Sequence, residues 1–319
     1  MATITDGHPG SRPTGELTLE ALRGSPRRRR REARVRVTLN GAALFSLAVS
    51  IAIVAALIGG AVRWLTGIDL GWLVADGWFP RRNDFDVLTL LFGTVLVSVI
   101  AMVVATPLGL GAAMYLSEYA SPRLRRRLKP ILEILAGIPS VVLGYFALTV
   151  IQPNLVRDLL GGDGASSFMA AGIGVGILTI PLVASVAEDA MHAVPRALRE
   201  AAYGIGARRR TVTTKIVFPA AVSGIVASLI LGFSRAIGET MVVAIAAGAT
   251  GGALRTLDPM SSGQTMTGAI ASLAIGSDQV QGSTFAFDSL YAVGLLLFGL
   301  TFTLNIISER FVRRVRRSY

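Results

Sequence analysis

Cysteine is absent from the 319 residues, and histidine is confined to His8 and His192. No disulfide framework, thiolate nucleophile or Cys/His metal site can be assembled from such a chain. Lysine is almost missing too: Lys129 follows Leu128 and Lys215 follows Thr214. A phosphate-binding loop ending in Gly-Lys therefore has no place here, which excludes nucleotide hydrolysis by that route. Charge is also scarce, with 16% charged against 52% hydrophobic residues and a mean hydropathy of +0.59, where a soluble domain carries about 25% charged residues. Together these shortages point to an all-α, polytopic integral membrane protein, with no cofactor implied. The formal charge of +11 raises the question of nucleic acid. The arginines, however, stand in blocks beside apolar runs without interleaved aromatics, so no nucleic-acid partner is inferred and membrane topology accounts for them.

Residues 1–36 are rich in Gly, Pro, Ser and Arg and end in the run Arg27 to Arg31 with Arg34 and Arg36; they are expected to form a disordered basic tail. The apolar stretch after it, 37–66 with its core at 39–65, exceeds the ~7–15 residues of a signal-peptide core and lacks a small-x-small cleavage site. It is read as a retained first span. Further apolar stretches at 88–116, 131–151, 167–186, 217–247 and 287–307 each meet the ~20-residue requirement of a hydrocarbon core. The expectation is about six transmembrane helices, a transmembrane domain at 88–309 and a second basic tail at 310–319. Arg and Lys crowd the N-terminal tail, the loops around Arg125 and Arg209, and the C-terminus, whereas the opposite loops carry Asp69, Asp86, Asp163 and Asp258. That asymmetry predicts both termini in the cytoplasm. The long loop at 249–286 would line an external mouth or meet an extracytoplasmic partner.

Between the fourth and fifth spans lies REAAYGIGARRRTVTTKIVFP, residues 199–219. Pro195 suits a helix's first turn, Gly206 a left-handed C-cap, and Arg208, Arg209 and Arg210 the negative pole of a helix. Charge and caps alone allow an ordinary connecting loop. The spacing says more: Glu-Ala-Ala, three residues, Gly, nine residues, Ile, two residues, Pro falls on Glu200, Ala201, Ala202, Gly206, Ile216 and Pro219. This pattern resembles the cytoplasmic loop by which permease subunits of bacterial ABC importers engage their ATPase, with Phe218 in place of the usual Leu. The resemblance implies the type I importer permease fold and a coupling role for Glu200, Ala201, Ala202, Gly206 and Pro219.

The fifth span carries Arg235 and Glu239 near its middle. A central charge costs about 2.5–3.5 kcal/mol on insertion scales, so both side chains should face protein or a water-filled path. Either they form an i,i+4 pair that locks one helix, or Arg235 meets an anion while Glu239 sets its rotamer or alternates as its partner. The planar guanidinium donors match a phosphate-like oxyanion. The strings RAIGETM, LAGIPSVVLGYFAL, SEYASPRLRRRLKPILE and GQTMTGAIAS are similar to those of the membrane subunits of phosphate ABC importers, nearer the PstC than the PstA type. That resemblance implies phosphate passage at Arg235 and Glu239, with Thr240 a weaker candidate. It also implies two copies of an ATP-binding subunit, a second homologous permease subunit and an extracytoplasmic phosphate-binding protein. Sulfate or molybdate import and ion-coupled secondary transport are the competing readings.

Overall fold

A computed structural model describes residues 26–68, 77–248, 252–275 and 284–316. By their contacts, residues 1–55 and 56–319 separate into two units. The described part of the first unit is a stretch of α1 (Pro26–Gly67) that is exposed along most of its length. Its start corrects the tail assignment, because Pro26–Arg36 is helical. Pro26 stands where its missing amide costs nothing, and arginine is a good helix former. Residues 1–25 lie outside the described ones.

In the second unit, α5 (Phe168–His192) is the most enclosed span, with 61% of its apolar window buried, against 39% in α2 (Val87–Tyr119). The two pack closely because glycine removes the side chain between them. A Cβ on Gly172 would meet Ile100 at 2.6 Å, and one on Gly176 would meet the Ala101 carbonyl oxygen at 2.9 Å. Backbones in such contact gain dispersion along their length, the main source of helix association in lipid. Ser167 caps α5, accepting from the Ala170 amide at 3.1 Å while donating to Gln152 Oε1 at 2.6 Å.

The described residues hold four helices long and apolar enough to cross a membrane, or six if each of two bent pairs counts as one span. Both bends break stretches that hydropathy reads as single spans. The stretch 131–151 divides into α3 (Pro122–Ala136) and α4 (Ser140–Arg157), set at 83°. Pro139, at φ −57° and ψ 131°, has no amide to continue α3 and holds the chain out of helical geometry. The stretch 217–247 divides twice. α7 (Arg209–Ala220) meets α8 (Val222–Ile237) at 71°, and α8 ends at Gly238 before α9 (Met241–Ala246) begins. Pro219 withholds one amide just before the first bend. At the second, the Glu239 carbonyl accepts from Thr267 Oγ1 at 2.7 Å.

The loop expected at 249–286 is not simply an outer loop. GQTMTGAIAS forms the start of α10 (Met266–Ile275), whose Met266, Thr267, Gly268 and Ala269 are buried in the bundle. The Met266 amide donates to Thr94 Oγ1 of α2 at 2.9 Å. A small antiparallel sheet of order β2-β1-β3 joins β1 (Gly77–Phe79) and β2 (Asp84–Phe85) to β3 (Ala253–Leu254) at this end. It is a minor addition to an all-α molecule. Trp64, Trp78 and Phe285 surround Phe85 with ring centroids 5.5–5.6 Å away. Beside them the fully buried Asp86 caps α2 and takes Arg255 at 2.7 Å. The last span is α11 (Thr284–Arg316).

Candidate functional site

The projecting helix of the motif exists as α6 (Arg196–Gly204), entered through Pro195 and closed by Gly206 at φ +81°. The Gly206 amide bonds the Tyr203 carbonyl at 2.9 Å, and the Ala207 amide bonds that of Ala202 at 3.0 Å. A positive φ at that place is what glycine supplies without strain. Ala202 is the one buried residue of α6 and sits among Ala187, Met191, Val194, Val212 and Val217. Glu200, Ala201, Tyr203 and Ile205 face outward, Ile205 with 87% of its surface exposed. Ile216 is half-buried and Pro219 exposed. The motif thus divides cleanly: Ala202 seats the helix, and Glu200 and Ala201 stay on its exposed face.

Arg208 to Arg210 do not serve the C-terminal pole of α6 as expected. They open α7, and Arg209 turns away to donate to the Glu118 carbonyl and to lie 5.0 Å over the Tyr119 ring.

Arg235 and Glu239 do not pair. The stop at Gly238 takes Glu239 off the α8 helix, so the two no longer stand one turn apart. Glu239 Oε1 instead accepts from the Val242 amide at 3.4 Å, a weak cap on α9, and Thr240 is the residue before that helix. Arg235 is exposed, and its guanidinium has no hydrogen bond or ion pair among the described residues. It lines a cavity of about 240 Å³ together with Lys129, Glu133, Leu178, Pro181 and Glu188. Glu188 is almost wholly buried and already neutralised: Arg125 pairs with one oxygen, and Lys129 takes the other at 3.0 Å. Lys129 also holds Asp189 at 2.7 Å. Arg235 is therefore a cation of this cavity that makes no ion pair among the described residues, with the Glu133 carboxylate on the same lining.

Sequence reasoning missed Glu118, Glu188, Lys129 and Arg199 as partners. A signal was present, since Glu118 and Glu188 are acids at the basic end of apolar spans, where an unpaired carboxylate would be costly. The side chains that neutralise Glu188 lie 59 and 63 positions away, beyond any local pattern.

A bundle of bent and straight apolar helices, with a short capped helix at one end and a cavity lined by charged side chains, defines a polytopic membrane protein. Residues 105–317 match the family model described as binding-protein-dependent transport system inner membrane component. The chain belongs to that family, as a multi-pass inner-membrane permease of an ABC importer and not as a catalytic subunit. The phosphate transport system permease protein PstC of Mesorhizobium japonicum is 29% identical, over 99% of this chain and 98% of its own length. PstC 1 of Mycobacterium tuberculosis is 31% identical over 81% and 82%, and the probable ABC transporter permease protein YqgH of Bacillus subtilis 30% over 90% and 92%. Among solved structures, a bacterial alginate ABC transporter in complex with a pentasaccharide-bound periplasmic protein superposes with a TM-score of 0.62 at 15% identity, covering 94% of this chain and 98% of that one. That likeness carries the fold alone.

Proposed function

We propose that the chain passes inorganic phosphate into the cytoplasm as one of two homologous permease subunits, by alternating access driven by two copies of a partner ATPase. The observation that carries this reading is the lone guanidinium of Arg235 in its cavity, in a chain whose relatives include several phosphate transport permeases. An unpaired cation at a cavity is open to an oxyanion, and its planar donors match paired oxygens. Glu239 has only a 3.4 Å cap bond to give up. In this reading it receives Arg235 when the bundle changes state and no anion is bound, and the Thr240 hydroxyl beside it adds a donor to the path.

Hydrolysis takes place on the partner subunits, since the sequence offers no Gly-Lys pair for a phosphate loop. Glu200 and Ala201 on α6 meet the ATPase, while Ala202, Gly206 and Pro219 shape the handle. An extracytoplasmic phosphate-binding protein delivers substrate at the end carrying the small sheet. Both termini then lie in the cytoplasm, on the side of Arg125, Arg196 and Arg209, as the positive-inside rule requires.

The test is phosphate uptake by the complete complex in proteoliposomes. ATP must drive uptake, and Glu200→Arg must reduce it by opposing the ATPase contact. Uptake driven by a proton gradient in the absence of ATPase would overturn the reading. Uptake of sulfate or molybdate at the expense of phosphate would change the cargo and keep the class.

A further inference from the structure

We propose that Arg199 and Glu118 form the positioning pair through which displacement of α6 reaches the transport bundle. The proposal rests on the reading of α6 as the ATPase handle and goes beyond it, because none of the motif residues performs this task. α6 has nine residues and buries only Ala202, so apolar packing alone cannot make it move as one body with the spans. Arg199 supplies the missing hold. Its guanidinium meets Glu118 Oε1 at 2.9 Å, the Met191 carbonyl at 2.8 Å and the Val194 carbonyl at 2.6 Å. One side chain thereby joins α6 to the end of α2 and to the end of α5.

The pair is shielded, with 16% of the Arg199 side chain and 4% of that of Glu118 exposed. Charge-assisted bonds in such surroundings are stiff and directional. Glu118 itself lies in the widened turn Tyr115–Tyr119 that ends α2, and Arg209 of α7 grips the same turn through the Glu118 carbonyl and the Tyr119 ring. Met191 stands one turn beyond Glu188, which lines the Arg235 cavity. A push on α6 is thus delivered to two walls of that cavity. The alternative route, along the chain from α7 into α8, is interrupted by the 71° bend. A bend absorbs displacement that a buried three-way bond transmits.

The chain has no cysteine, which makes a direct test possible. In the full complex with cysteine-free partners, Glu118→Cys and Arg199→Cys are combined, and phosphate uptake per ATP hydrolysed is measured before and after joining the thiols with a short cross-linker. Without the linker the ratio is expected to fall about tenfold, in the range of ordinary inter-site coupling. The linker is expected to restore it to within about twofold of the wild type. Glu118→Gln, which keeps shape and removes charge, should fall between and guards against misfolding of the double variant. A merely structural role predicts unchanged coupling in assembled complexes; that result, or failure of the linker to restore the ratio, would overturn the proposal. A wild-type complex that hydrolyses ATP without taking up phosphate would instead contradict the cargo. The same variants are then read by the stimulation of ATP hydrolysis by the binding protein, which the unlinked pair should lose and the linker return.

Discussion

Two kinds of charge are set into this bundle, and they are treated in opposite ways. Among the described residues, every buried carboxylate is answered: Glu118 by Arg199, Glu188 by Arg125 and Lys129, Asp86 by Arg255. In the cavity that Glu188 and Lys129 also line, Arg235 makes no ion pair with any described residue. A paired buried charge holds elements in register, and its removal leaves the partner stranded. An unpaired cation in a cavity holds nothing together, and in the proposed reading it serves an anion that visits. On that reading the comparison separates residues that stabilise the permease from those that serve its cargo.

The largest expected effect breaks the comparison on the cargo side. Arg235→Glu should lower phosphate uptake at least about hundredfold, the equivalent of roughly 3 kcal/mol in a lost charge-assisted contact, with the complex still assembled on size exclusion. Next comes the structural side. Glu188→Ala leaves Arg125 and Lys129 without their shared carboxylate. Both cations keep a quarter or more of their side-chain surface exposed, so the cost should be about 2–3 kcal/mol and not the full penalty of a sealed pair. A lower midpoint in thermal unfolding of the detergent-solubilised complex is the readout. Asp86→Asn should cost about 1–2 kcal/mol by the same measure, since the amide still caps α2 while Arg255 is partly exposed. Glu239→Ala sharpens the boundary between the two classes: loss of its cap on α9 should cost about 1 kcal/mol or less, whereas a role in receiving Arg235 would show as a larger loss of uptake than of stability. The smallest effect is Gly238→Ala, expected within about 0.5 kcal/mol, because Gly238 has an ordinary negative φ of −86° and an added Cβ would approach nothing closer than 3.7 Å. The break between α8 and α9 would then owe more to the Thr267 bond with the Glu239 carbonyl than to the glycine.

What could be read from the sequence followed from quantities that add up locally. Hydropathy summed over ~20 residues located the spans, and the motif with its caps located the short helix α6, down to the positive φ at Gly206. The bends were less legible. A window average is blind to direction, so 131–151 and 217–247 each registered as one span although Pro139 and Pro219 stand in them. α10 escaped for a related reason: ten residues are too few to register as a span, and the Gly, Thr and Ser around it look like loop. Pairing was the least legible of all. Glu118 and Arg199 are 81 positions apart, and only the close packing of α2 on α5 brings the ends of those helices together. Conversely, an i,i+4 pair of Arg235 and Glu239 was one of two readings, and it assumed continuous helix through the three residues between them. The stop at Gly238 removes that assumption and turns a plausible lock into a free guanidinium.

The most direct measurement compares Arg235→Ala with Glu188→Ala in the same reconstituted complex, recording ATP-driven phosphate uptake and thermal midpoint for each. For Arg235→Ala the account predicts loss of uptake with the midpoint unchanged, and for Glu188→Ala a lowered midpoint. An Arg235→Ala complex that takes up phosphate at the wild-type rate, or that unfolds as early as Glu188→Ala, would contradict it.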